Sequence, residues 1–442
     1  MPRFRIAART RPRGVVLRES FLALRATRGI FAARLAAPSL RLTTASPVAS
    51  GRLPALVTPA LMRWARTTAG FDVATAAKRL KVAAPALDAW ETGTKPPSLA
   101  QLRKMAALYK RPLAVFYLPE PPQGFTPLLD FRTVEGKRRT LETPRLALET
   151  RRAQQRREAA LELAASLGDE PPSFTVTAAL SRDAIAVADE LRAALGVSLA
   201  EQFTWTDQYV ALNGWKRAVE RAGALVFQTE NLPMGEARGF SLALFPLPVV
   251  ALNSKESPRG RIFTLMHELA HIALRSSGVC DLHDDAAATG DADRVEVYCN
   301  RVAGALLVPR DSLADSLAAL DLSAEREWAD PTLRRLADRY AISTDAALRA
   351  LVQAGQYPAA LYSARHTAFV RAWERDKPKG GPVPYFRRAL GWSGRRFARL
   401  ALGAYDEQRI SSADLTEYLR VKMPQVEQIR AALRKEDLAE SA

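Results

Sequence analysis

Cysteine is nearly absent from this 442-residue chain. There are two, Cys280 and Cys299, and no Cys-x-x-Cys pair. That excludes a disulfide framework and fits a reducing, cytoplasmic setting. Long apolar runs are missing as well. The most apolar stretch, Gly239 to Leu252, is short and broken by Pro246 and Pro248, well below the ~18–20 residues of a membrane span. No membrane partner is expected. Acids are missing from one place: residues 1–50 hold ten Arg, no Lys, and Glu19 as the only acid. More than half of the formal +17 charge therefore lies in one Arg/Ala/Ser-rich arm. Three readings stay open for it: a transit-peptide-like composition, a disordered arm touching nucleic acid or acidic surfaces, or upstream sequence from an early start codon. The remaining basicity is modest for a chain of this size, and no internal repeat of solenoid period is present.

About half of the residues are apolar and a quarter charged, enough to bury true cores. At roughly 100–200 residues per domain the length admits two to four. Regular pattern starts near Thr58. Five short helices are expected from there to about Leu118, with Asp72 and Ser98 as N-caps and Pro85 in a first turn. Pro119-Glu120-Pro121-Pro122 reads as a linker. Helices are expected over 140–168 and 182–195, and strands around 224–228, 239–244 and 248–253. Further helices follow at about 260–275 and 293–307, with two or three more beyond about 377. The expected fold class is mainly α with a small antiparallel sheet (α+β).

The chemistry concentrates in Phe263-Thr264-Leu265-Met266-His267-Glu268-Leu269-Ala270-His271. At 3.6 residues per turn, His267 and His271 stand one above the other on a helix face, so both imidazoles can reach one ion. Glu268 lies one step round the cylinder, where it can address water without ligating. Glu296 and Asn300 are also four apart. A carboxylate from that helix completes a two-His, one-Glu site with a fourth position open, and Asn300 can accept a ring N–H from a ligating His. Zn2+ suits imidazole plus carboxylate in an incomplete tetrahedron. The bland reading is a buried amphipathic helix that happens to carry two His. For the oxyanion, Tyr298 and His283 are candidates against a core tyrosine and a loop histidine. The strand at 248–253 could pair with an extended substrate.

These residues, together with Arg238-Gly239-Phe240-Ser241, Val249-Val250-Ala251-Leu252-Asn253, Glu296-Val297-Tyr298-Cys299-Asn300-Arg301-Val302-Ala303 and Leu306-Leu307-Val308-Pro309, resemble the ImmA/IrrE family of metallopeptidases. The resemblance covers about 205–355. It implies a thermolysin-like minimal zincin site in which Glu is the third ligand and Glu268 takes a proton from water and returns it to the leaving amine. The chain departs from the family at Cys299, usually Ala, and Val302, usually Phe; both positions face inward, and repacking is the expected result.

Residues 58–118 resemble the Cro/C1-type (XRE) helix-turn-helix, most clearly in Leu87-Asp88-Ala89-Trp90-Glu91-Thr92-Gly93 and Pro97-Ser98. That implies DNA as a partner. Lys78, Arg79, Lys81 and Lys95 can contact phosphates, but the turn Ala83-Ala84-Pro85-Ala86-Leu87-Asp88 offers base edges only an acid. A protein-docking module is the alternative, and a homodimer stays open. Leu336 to Leu351 repeats a helix-turn-helix-like spacing. The tail resembles a C-terminal extension found in some fused proteins of this type.

The expected organisation is an arm (1–55), the helix-turn-helix (56–122), a helical linker region (123–204), the zinc peptidase domain (205–355) and a helical C-terminal domain (377–442). Three functions compete. The chain is a DNA-binding regulator whose protease cleaves a repressor or other regulatory protein, a transcription factor whose peptidase-like domain senses metal or ligand, or an antitoxin-like interaction protein. An intact Glu268 favours the first, because a structural zinc site needs no base.

Overall fold

The computed structural model describes residues 54–122, 129–130, 133–134, 137–138, 143–276, 278–280, 291–325, 327–375 and 383–441. The basic arm and His283 lie outside the described residues.

The N-terminal bundle consists of α1 (Pro59–Thr67), α2 (Val73–Leu80), α3 (Ala84–Glu91), α4 (Leu99–Tyr109) and a 3-10 turn, Leu113–Tyr117. Local chemistry sets its boundaries. The Asp72 carboxylate accepts from the Thr75 N–H at 2.7 Å, and Ser98 and Gln101 form a reciprocal capping box. Lys81 ends α2 in the left-handed region, at φ 58°. Leu61, Leu87, Leu102 and Met105 are buried between the helices. A buried two-pronged pair, Arg66 to Glu91 at 2.7 and 2.8 Å, ties α1 to α3. Removing one partner strands a buried charge. Glu91→Ala is therefore expected to cost about 3 kcal/mol, read as a shift in the bundle's denaturant midpoint; a cost under ~1 kcal/mol would mean that water reaches Arg66.

The bundle is anchored from outside by α5 (Pro144–Leu167), whose Thr143 cap accepts from the Leu146 N–H. Arg151 of α5 donates to the carbonyls of Thr68 (2.7 Å) and Tyr109 (3.5 Å). It thus places one cation at the C-terminal ends of α1 and α4, where helix dipoles favour positive charge.

After β1 (Leu129–Asp130), β2 (Thr133–Val134) and β3 (Lys137–Arg138), the remaining elements in chain order begin with α6 (Ala184–Leu195), α7 (Leu199–Thr204) and α8 (Gln208–Arg221). Then come β4 (Leu225–Thr229), β5 (Gly239–Leu242), β6 (Val249–Asn253), α9 (Pro258–Ala273), β7 (Gly278–Cys280) and α10 (Asp291–Leu307). Helices α11 (Arg310–Ala319), α12 (Asp330–Arg339), α13 (Thr344–Gln353) and α14 (Ala359–Arg375) follow. The tail contains α15 (Tyr385–Ser393), α16 (Arg395–Asp406), α17 (Ser412–Leu419) and α18 (Met423–Ser441): four helices where two or three were expected. Among the described residues, no helix is long and apolar enough to cross a membrane.

The sheet runs β1-β7-β5-β6-β4, and it is mixed where an antiparallel one was expected. Strand β5 is antiparallel to β6 and β7, while β4–β6 and β1–β7 are parallel. The reason is topological. The chain leaves β4, crosses to β5 and returns by a hairpin, so β6 fills the gap beside β4 and runs in the same direction. All five residues of β6 are buried, as a strand covered on both faces must be. Alternation sends its side chains to two cores. Val250 and Leu252 pack with α8 and α9, whereas Val249 and Ala251 pack with α5 and the tail helices. Because β6 has a partner on each side, it offers no free edge to a substrate, contrary to the expectation for 248–253. The β4 side is closed by the tail: Gly394, at φ 77°, turns α15 into α16 so near that a Cβ there would lie 2.7 Å from the Val226 carbonyl.

Candidate metal centre

Helix α9 starts at the Ser257 cap, which accepts from the Gly260 N–H at 3.0 Å, with Pro258 at its first position. It is buried almost all round, as befits a helix held between a sheet and other helices. His267 and His271, one turn apart, are fully buried. Their rings meet edge to face at 4.8 Å between centroids, and their Nε2 atoms are 3.0 Å apart. From α10, Glu296 sets Oε2 at 3.1 Å from His267 Nε2 and Oε1 at 3.2 Å from His271 Nε2.

These spacings test the fit to a metal. Two donors each about 2.0–2.1 Å from a tetrahedral centre stand about 3.3 Å apart, close to the 3.0–3.2 Å found here. Two buried imidazoles aiming the same nitrogen at each other beside a buried carboxylate gain from a shared cation. The group could hold a divalent metal ion, and among the described residues no fourth His, Cys, Asp or Glu joins it.

Asn300 lies one turn beyond Glu296, its Oδ1 2.9 Å from His267 Nδ1. The amide oxygen accepts the Nδ1–H, leaving the Nε2 lone pair facing the centre. Loss of such a support weakens metal binding by roughly 10–100-fold. Asn300→Ala is expected to fall in that range by competition with a chelator, and an unchanged affinity would remove Asn300 from the site.

Glu268 is fully buried, and no hydrogen bond of ordinary geometry reaches either of its oxygens among the described residues. Burial pushes its pKa up to about 8, against the opposing pull of His271 and the Ser241 hydroxyl. Glu296 goes the other way. Burial opposes its ionisation, but the two rings outweigh burial and hold it far below the usual carboxylate range. Burial disfavours the charged form of both imidazoles. It prevails at His267, which is lowered, while the contact with Cys299 and then Glu296 raise His271. A metal ion competes with the proton that a raised His271 holds. Apparent metal affinity is therefore expected to rise about tenfold per pH unit across the neutral range, and a flat calorimetric profile would show that no proton leaves on binding.

Support comes from residues with no assigned role at the sequence level. Gly239 of β5 faces α9 so closely that a Cβ would sit 2.6 Å from Thr264 Cγ2 and 3.4 Å from Glu268 Oε1. Two residues on, Ser241 places a fully buried hydroxyl beside Glu268. Glu256 accepts from Thr264 Oγ1 at 2.9 Å and from Arg238 at 3.1 Å, stapling the start of β5 to α9. The segment Arg238 to Ser241 was legible as a motif, but which side chain faces the helix depends on strand register. Glu256 carries no local signal.

Other candidates land elsewhere. Tyr298 is buried, and its charged neighbours Arg182, Asp183 and Glu190 lie at the start of α6 and along it. Lys78, Arg79, Lys81 and Lys95 are all exposed, and the exposed part of α3 is Ala84, Pro85 and Asp88, with Ala83 just before it. The second helix-turn-helix-like spacing becomes α12 and α13, but Ala346 through Leu351 are buried, so α13 is a core element and presents no face to a DNA groove.

Two helices bringing a His pair and a carboxylate to one point define a candidate centre of the metallohydrolase class. Residues 219–352 match the sequence profile of the IrrE N-terminal-like domain, a peptidase family. The radiation response metalloprotease IrrE of Deinococcus deserti is 32% identical over 125 residues, 28% of this chain and 41% of that protein. The protein of the same name from Deinococcus radiodurans is 30% identical over 112 residues, 25% of this chain and 32% of that protein. The chain thus spans about two fifths of the first relative and a third of the second. At family level this segment is similar to metallopeptidases.

Proposed function

We propose that the chain is a regulator carrying a zinc-dependent endopeptidase, with His267, His271 and Glu296 as ligands and Glu268 as general base. The observation that carries this reading is the convergence of two imidazole Nε2 atoms 3.0 Å apart, each met by one oxygen of Glu296 at 3.1 or 3.2 Å, beside a buried carboxylate outside that group. A zinc ion held there supplies Lewis acidity, polarising a peptide carbonyl and making water more acidic. Glu268 takes a proton from the attacking water and delivers it to the leaving amine. Asn300 keeps the His267 ring in register, and Ser241 with Gly239 sets the depth of Glu268 under the sheet.

The bundle at 56–122 acts as a helix-turn-helix that brings the protease to DNA, and a repressor or another regulatory protein is its substrate. Lys78, Arg79, Lys81 and Lys95 contact phosphates, which hold the protein on a duplex without selecting a sequence. Binding should therefore weaken steeply with salt and vary little among promoter fragments. Failure to shift any fragment in a gel at moderate salt would leave the bundle as a protein-docking module.

A second reading, metal or ligand sensing without cleavage, is favoured by one observation. Strands β5 and β6 are paired on both sides within the chain, so an extended peptide finds no open ladder there. The deciding experiment compares cells carrying wild type and Glu268→Gln: loss of both repressor cleavage and the downstream response supports the protease, and a full response without cleavage supports the sensor.

A further inference from the structure

Strand β5 has a second neighbour besides β6. On its other side lies β7, antiparallel, in the register Gly239 to Cys280, Phe240 to Val279 and Ser241 to Gly278. Two of these β5 residues stand against Glu268. A Cβ on Gly239 would lie 3.4 Å from Glu268 Oε1, and the Ser241 hydroxyl sits beside the same carboxylate. Beyond β7 the ladder continues into β1, paired in parallel at Leu129 and Asp130, from the segment between the N-terminal bundle and α5. The one edge of β5 that β6 leaves open is thus occupied by the chain itself.

Only residues 274–277 separate α9 from β7, so the chain must reverse at once. It does so at Arg275, a non-glycine residue in the left-handed region at φ 57°, a conformation that persists only where neighbours hold it. The Ser276 N–H donates to the His271 carbonyl at 3.0 Å. The Arg275 guanidinium lies 3.6 Å from the centre of the Phe245 ring, in the turn between β5 and β6. That turn is fixed separately: Arg157 of α5 donates to the carbonyls of Leu244, Pro246 and Leu247 at 3.2, 2.6 and 3.0 Å. Phe245 remains 36% exposed, and a cation–π contact within reach of water is weak enough to open.

An extended peptide that joins a sheet edge gains the main-chain hydrogen bonds of the ladder it lengthens. We propose that β7 is an internal occupant of the substrate edge: it stands where an extended segment of the protein substrate pairs with β5, and the Arg275–Phe245 contact latches it there. This rests on the peptidase reading above and adds its regulation. With β7 in place the ladder beside Glu268 is full and the enzyme is closed. A peptide binds only those molecules whose β7 has left β5, and its apparent affinity is lowered by that fraction. Three residue pairs, one left-handed turn residue and one partly exposed contact hold β7, which puts it at the low-stability end of the fold, where displaceable elements belong.

The test uses the full-length, zinc-loaded chain and labelled β-casein, an unfolded protein, as the probe. A Glu268→Gln background separates binding from cleavage. In it, casein is titrated by fluorescence anisotropy against the parent, Phe245→Ala, Arg275→Ala and the double variant Gly278→Pro/Val279→Pro. Of two successive N–H groups on a strand one faces each neighbour, so the paired prolines remove a bond to β5 whichever it is. Each change is expected to tighten casein binding about tenfold. Hydrogen exchange at the β5 amides is expected to quicken in step and to slow again when casein binds. Elemental analysis checks that zinc is retained. Casein affinity unchanged in every variant, or β5 exchange already as fast in the parent, overturns the proposal whatever becomes of cleavage. Tighter binding without cleavage when Glu268 is intact keeps β7 as the occupant of a peptide-binding edge and retires the peptidase reading instead.

Discussion

Glu268→Gln is expected to bind metal as wild type does and to cleave peptide about 10²–10⁴-fold more slowly, the range general-base catalysis supplies. The two side chains are nearly isosteric, so the buried position one step round from His267 keeps its packing. What changes is the ability to accept a proton. Glu268 is pushed up to about 8 by burial, and a nearby divalent cation favours its ionised form. The carboxylate is therefore poised to hold a proton briefly and give it up, and glutamine can do neither. Stability should not fall, since a buried acid without hydrogen bonds of ordinary geometry is replaced by a neutral amide. Metal content by elemental analysis and single-turnover cleavage of a candidate repressor separate the two effects. A Gln variant that retains full cleavage would exclude Glu268 as the base.

Glu296→Ala is expected to lose metal altogether under conditions where Asn300→Ala still retains it. Asn300 only steadies one ring, and removing such a support costs roughly 10–100-fold. Glu296 supplies the one anionic donor and touches both imidazoles, so its loss must exceed that range. Without it the two Nε2 atoms face each other at 3.0 Å with no carboxylate left in the ligand group to share a cation. Chelator competition gives the ordering directly, and equal affinities for the two variants would place the third donor elsewhere. The same comparison in thermal unfolding should show metal raising the melting temperature of wild type and leaving Glu296→Ala unmoved.

Much of the site could be read before any coordinates. A spacing of four in His267/His271 and again in Glu296/Asn300 translates into shared helix faces by helical periodicity alone. The caps at Asp72 and Ser98 were equally legible, because their hydrogen bonds stay within three residues. The sheet was not. Apolar runs at 225–229, 239–242 and 249–253 look alike, and nothing local tells which strand lies in the middle or which direction its neighbours take. The strand at 248–253 reads as one that could pair with an extended substrate, but β4 on one side and β5 on the other close β6. Leu336 to Leu351 shows the same gap from the helical side: its helix-turn-helix-like spacing gives two consecutive helices, yet burial of α13 decides that it is core.

Sequence by itself determined which atoms share a helix face and where the helices begin, since those depend on contacts three or four residues apart. Only tertiary structure brought α9 and α10 to hydrogen-bond distance and seated Ser241 beside Glu268. It also layered α5 and the tail on the sheet's second face. Each of these closes a long loop, and its outcome depends on how whole surfaces fit, which no short stretch of residues encodes.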